Sequence, residues 1–182
     1  MGFFLALFPL SFLQAQTPSG TPEITPIDCL PNTTSRFVGK LESGAPTADL
    51  SFAWNSSVAC FPATQREKFT GHQVLYTTIL PAYTEMEVKV IPTNRKADLS
   101  VYAYQTGVVP PEEIRYPPVS CVRCEVDHRW DRSYRGQQQD HTRTAKNLLA
   151  LRNPYRVVIG VVGASGLSTG SYTLEVTLRS RK

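Results

Sequence analysis

Charge is scarce in this chain of 182 residues: Asp, Glu, Lys and Arg together make up only 19% of it. The formal net charge of +4 is a mild excess. It suits an anionic partner but falls well short of the basicity of a dedicated nucleic-acid binder, so no nucleic acid is expected. Long apolar runs are missing as well. The run from Gly2 to Leu13 is about twelve residues, against the twenty or so that a membrane-spanning helix needs. Fourteen prolines and eleven glycines interrupt the chain at short intervals and argue against long helices. Histidine is limited to His72, His128 and His141, none of them in a nucleophile motif. Gly163-Ala164-Ser165-Gly166 looks superficially like a nucleophile elbow, but Leu167 and a strand pattern follow where a helix is required. The same missing helix excludes a dinucleotide fingerprint. The chain reads as a non-enzyme.

What is present is β-structure. Tyr155, Val157, Ile159 and Val161 fall on one face of a strand, with Val158, Gly160 and Val162 on the other. A strand apolar on both faces belongs in the middle of a sheet covered on both sides. Beyond the loop at 163–170, Tyr172, Leu174, Val176 and Leu178 alternate with Ser171, Thr173, Glu175, Thr177 and Arg179. That is a half-buried strand, and the loop suggests that the two form an antiparallel hairpin. Earlier strands are expected at 36–41, 50–54, 73–80, 85–91 and 98–105. Residues 145–152 fit either a strand or a helical turn. The expectation is an all-β, jelly-roll or immunoglobulin-like sandwich of about seven to nine antiparallel strands. One long cysteine-containing insert, 106–146, interrupts it.

The amino-terminal region reads differently. Residues 1–16 resemble a secretory signal peptide with cleavage after Ala15, although no Lys or Arg precedes the apolar run. Residues 17–34 form a Pro/Thr-rich arm in which Thr17-Pro18, Thr21-Pro22 and Thr25-Pro26 recur every four residues. Such an arm favours extended chain. It is either a flexible leader or a strand that lies along a sheet edge of its own or of a neighbouring molecule, anchored by Ile24 and Ile27. The sandwich domain is then 35–182, in a secreted, extracellular or cell-surface protein.

Four segments carry a family resemblance: 76–91, then Ala97-Asp98-Leu99-Ser100-Val101-Tyr102, then 153–162, then Gly170-Ser171-Tyr172-Thr173-Leu174-Glu175-Val176. In this order they resemble the bacterial pre-peptidase C-terminal domain, a small sandwich carried by secreted proteases and other extracellular proteins. The resemblance spans roughly 36–178, and the long insert departs from the family's compact loop. It implies a non-catalytic role and makes calcium a candidate cofactor. Hard oxygen ligands for calcium would be Asp98, Glu125, Asp127, Asp131 and Asp140, although no known calcium-loop spacing is reproduced. Arginines lie among these acids, so a salt-bridged loop is the plainer reading.

Cys29, Cys60, Cys121 and Cys124 in a secreted chain suggest two disulfides. The most local pairing is Cys29–Cys60 with Cys121–Cys124; crossed pairings stay open. Glu125 follows Cys124 where c-type haem attachment needs His. A redox CxxC needs a helix start that is absent here. Zinc could draw on Cys121, Cys124, His128 and His141, though at no standard spacing. Arg129, Trp130, Arg132 and Tyr134 form an arginine–aromatic set that could stack on sugars or contact a polyanion. Asn32-Thr33-Thr34 and Asn55-Ser56-Ser57 match the glycosylation sequon.

Two functional classes follow. One is a structural subunit that self-associates into an extracellular or cell-surface assembly, such as a filament, through the arm and the sheet edges. The other is a carbohydrate- or protein-binding adhesion module acting through the arginine–aromatic set. The resemblance adds a third role, an accessory domain acting beside a separate secreted hydrolase.

Overall fold

The computed structural model describes residues 23–47, 49–54 and 60–181. The expected signal peptide, the first part of the arm and the Asn55 sequon lie outside these residues. Ten strands follow one another: β1 (Ile24–Pro26), β2 (Thr34–Lys40), β3 (Ala45–Pro46), β4 (His72–Leu80), β5 (Thr84–Pro92), β6 (Leu99–Thr106), β7 (Arg123–Asp127), β8 (Arg143–Ala150), β9 (Tyr155–Gly163) and β10 (Ser171–Ser180). They form two sheets. The first runs β1-β4-β9-β6-β7, with β3 also on β4; the second runs β2-β10-β5-β8. Among the described residues every pairing is antiparallel except that of β1 with β4.

The alternation read from the sequence fills the space between the sheets. Met86, Val88 and Val90 of β5 and Tyr172, Leu174, Val176 and Leu178 of β10 point inward. They meet Leu99, Val101 and Ala103 of β6 and Val157, Ile159 and Val161 of β9. Burying each such aliphatic side chain stabilises the fold by about 1.5–3 kcal/mol.

The first sheet is apolar on its outer face too. Leu75, Tyr102, Tyr104 and Val162 lie there under Leu50, Phe52, Ala53, Phe61 and Phe69. The covering residues come largely from the 3-10 helices Ser51–Trp54 and Ala63–Phe69. Phe61 and Phe69 stack with ring centroids 4.0 Å apart. This second core is why β9, central in its sheet, is apolar on both faces.

Three expectations change. The strand expected at 50–54 is a 3-10 helix, because its apolar residues cap a sheet face instead of joining a ladder. β9 and β10 do not form a hairpin; β9 pairs with β4 and β6, and β10 pairs with β2 and β5. Sheets pack about 10 Å apart, and the intervening loop is long enough to carry the chain from one to the other. The insert is also not simply a loop, since β7 within it adds an edge strand to β6. Residues 145–152 resolve as the last six residues of β8 and the turn after it.

Candidate functional site

The arginine–aromatic part of the insert is a small built hairpin. Arg135 and Gly136 have φ of +50° and +72°, and Gln137 N–H donates to the Tyr134 carbonyl at 2.9 Å. Two successive positive φ values are what a tight type I′ turn requires, and glycine supplies the second without steric cost. The turn folds the aromatic residues together. Trp130 and Tyr134 meet edge-on with centroids 6.3 Å apart, and the Arg135 guanidinium lies 5.0 Å from the Tyr134 ring centroid. Gln139 Nε2 donates to the Trp130 carbonyl at 3.1 Å. Trp130 remains 37% exposed and Tyr134 57%.

The hairpin is pinned to the segment that caps the outer core. Lys68 Nζ donates to Asp131 Oδ1 at 2.6 Å and to the Arg129 carbonyl at 2.9 Å. Phe69 packs against the His128 ring at 5.9 Å. The hydrogen bond and the charge of Lys68 hold the Asp131 carboxyl below its ordinary range, so this acid is ionised and already engaged. Arg129, Arg132 and Arg135 are exposed. Arg129 lies 3.7 Å from Asp98, and among the described residues Arg132 has no ion-pair partner.

Asp98 sits at the base of this unit. Its Oδ1 accepts from the buried Arg143 guanidinium at 3.2 Å and lies 3.3 Å from His141 Nδ1. Arg143 also donates to the Leu99 carbonyl at 2.7 Å and the Thr142 carbonyl at 3.1 Å. The other acids expected to ligate calcium are spread out. Glu125 pairs with Arg123 at 3.3 Å. Asp127 accepts from Thr144 N–H at 2.7 Å, and Asp140 from Thr142 N–H at 2.9 Å. The structure thus does not gather Asp98, Glu125, Asp127, Asp131 and Asp140 into one cluster. Among the described residues no three His, Cys, Asp or Glu side chains group as a metal would need.

Two of the four cysteines pair across the fold, one bridge among the described residues where two were expected. Cys60, from the capping segment, bonds to Cys124 of β7. That crossed bridge replaces the local Cys29–Cys60 and Cys121–Cys124 pairing, because folding brings the capping segment onto the insert. It also takes Cys124 out of any zinc set. Burial pushes the Cys29 and Cys121 thiols up.

Of the two arm anchors, Ile24 belongs to β1, and Ile27 N–H donates to the Thr77 carbonyl at 2.8 Å. Ile24 packs on the outer core and Ile27 on the inner one. The described part of the arm lies along an edge of its own sheet. Sequence reasoning did not single out Lys68, whose role depends on a tertiary contact 63 residues away. Arg135-Gly136 carried a turn signal that could have been read.

Among the described residues no helix is long and apolar enough to cross a membrane. No protein-family model matches the chain, and no curated protein matches it. Two solved structures are similar in outline. One is a periplasmic inhibitor of g-type lysozyme from Aeromonas hydrophila, at 11% identity and a TM-score of 0.41, covering 85% of this chain and 95% of that one. The other is the pre-peptidase C-terminal domain of a collagenase from Bacillus anthracis, at 14% identity and a TM-score of 0.40, with the same coverage. The sandwich assignment rests on the chain's own two sheets.

Proposed function

We propose that this chain is a non-catalytic extracellular binding module that takes acidic polysaccharide on the hairpin of residues 129–137. One observation carries the reading. The acid within the hairpin, Asp131, is engaged by Lys68, and Arg129 is drawn 3.7 Å from Asp98, which leaves Arg132 and Arg135 beside two exposed rings. Aromatic faces suit the CH face of a pyranose, and guanidinium forks suit its carboxylate. The test is a titration with polygalacturonate, followed by calorimetry. Trp130→Ala and Arg132→Ala are each expected to weaken binding about tenfold, which corresponds to about 1.4 kcal/mol. Affinity should also fall as salt rises. Variants that bind as well as the parent would overturn the reading.

A second reading, self-association, is favoured by β1. Its contacts with β4 are three residues long and lie at a sheet edge, and a second copy could supply the same strand. Sedimentation across a concentration series tests it: a single monomeric species at all concentrations would remove it.

A further inference from the structure

We infer that the opposite end of the sandwich holds a second site for the same acidic sugars, so that one copy bridges two polymer segments. This rests on the hairpin reading above. A groove of about 530 Å³ opens between the β4–β5 turn and the β8–β9 connection, lined by Tyr83, Leu149, Ala150, Leu151, Arg152 and Arg181. Tyr83 is 61% exposed and Leu151 67%. Tyr83 has φ +55°, a left-handed conformation that a bulky side chain adopts only against steric cost. Glycine or asparagine would make this turn with less strain, and the exposed ring has little packing to justify its place. Strain of this kind concentrates at ligand sites. The Tyr83 carbonyl accepts from Arg181 N–H at 2.7 Å, which fixes the turn against the end of β10.

The groove's chemistry repeats that of the hairpin. Its cations are Arg181, 3.6 Å from Glu85, and Arg152, which has no ion-pair partner among the described residues. Tyr83 offers a ring face, the leucines an apolar floor, and Arg152 a free fork for a carboxylate. A uronic acid satisfies all three at once, whereas a bare phosphate would leave the ring and floor uncovered. β8 sets the spacing between the two ends. It runs from Arg143, which contacts the Asp98 carboxylate at the hairpin's base, to Ala150 in the groove. Eight residues at about 3.3 Å each place the two sites roughly 25 Å apart. A trisaccharide is too short to occupy both, but two chains, or two stretches of one polymer, can be held together.

The experiment uses the full chain, trigalacturonate in calorimetry and polygalacturonate-coated beads. The groove variant is Tyr83→Gly with Arg152→Ala, and the hairpin variant is Trp130→Ala with Arg132→Ala. The parent should bind two trisaccharides and agglutinate the beads. Each variant should bind one trisaccharide and coat the beads without agglutinating them, and the combined variant should bind none. Glycine at position 83 relieves the positive φ, so the groove variant should melt no lower than the parent. A groove variant that keeps two sites and agglutinates overturns the second site and leaves the hairpin reading standing. A hairpin variant with the parent's stoichiometry overturns the hairpin reading instead. One site in the parent overturns bridging. Binding to phosphatidylglycerol vesicles that only the groove variant loses, with no sugar bound there, would reassign the groove to lipid and overturn the inference.

Discussion

Two residues without side chains decide how the aromatic rings are stored. Tyr76 and Tyr172 share a hydrogen bond of 2.9 Å in the core between the sheets. A Cβ on Gly39 would fall 2.5 Å from both the Tyr172 ring and the Tyr76 oxygen. Gly160 makes the same room for Tyr102 on the outer face. Gly39→Ala is therefore expected to cost about 1–3 kcal/mol by overpacking. For a domain of this size that lowers the melting temperature by several degrees; a melt equal to the parent's would show that the ring has room to move. The tyrosines also set an alkaline limit. Gln73 Oε1 accepts from both Tyr102 and Tyr116, at 2.5 and 2.9 Å. Burial pushes Tyr116 up to about 12, and it raises Tyr102, Tyr104 and Tyr172 as well. A phenol raised in the fold above its unfolded value near 10 stabilises the fold fully below pH 10. That contribution is lost as pH climbs from 10 towards 12, since the unfolded chain then binds fewer protons. Urea midpoints should be flat to about pH 10 and drop steeply above it. Tyr116→Phe should soften that drop, and an unchanged slope would remove Tyr116 from the account.

At the scale of elements, the insert owes its position to two attachments of unequal strength. Lys68–Asp131 is an ion pair with Asp131 73% exposed, a type of contact worth at most about 1 kcal/mol. The Cys60–Cys124 bond joins residues 64 apart, and the chain-entropy relation gives about 4 kcal/mol for a loop of that size. Replacing both cysteines by serine should lower the melting temperature by roughly 8–16 °C. It should also loosen the base of the hairpin and weaken its sugar binding. Peptide mapping without reduction should recover the Cys60 and Cys124 peptides joined; a Cys121–Cys124 bridge would refute the crossed pairing. What was legible here follows from period. β5 and β10 bury every second residue, so their alternation is visible in the sequence, and β9's two apolar faces announced a central strand. The apolar residues at 50–54 look like a strand because a segment of five residues is too short to show a period of its own. Their 3-10 form is set by the sheet face they cover. The cysteine pairing and the Lys68 contact depend on which segments folding brings together, and spacing does not encode that. The four residues expected on the insert stood out by residue type, and the Arg135-Gly136 turn signal was present too, but the Lys68 anchor was not legible.

At the scale of the whole molecule, the first sheet ends on one side at β1 of the arm and on the other at β7. β4 is flanked by β9 on one side, while on the other β1 covers Leu75 to Thr77 and β3 covers His72 and Gln73. Ile27 and Cys29 then pack on the inner core as the chain passes to β2 in the second sheet. The arm is thus part of the seam between the sheets, and what it seals decides between the two functional readings. A chain beginning at residue 29 would leave the Leu75–Thr77 backbone without its parallel partner and strip both isoleucines from the cores. It should melt lower than the parent and associate as concentration rises, because an uncovered edge recruits other strands. A synthetic peptide of residues 22–28 binds only the folded form, so by linkage it should raise that melting point in proportion to the logarithm of its concentration above Kd. Rescue in trans would establish that β4 accepts the strand from another molecule, the step that self-association requires. If the shortened chain melts like the parent and ignores the peptide, β1 contributes nothing to the seam, strand exchange has no driving force, and binding through the arginine–aromatic ends stands alone.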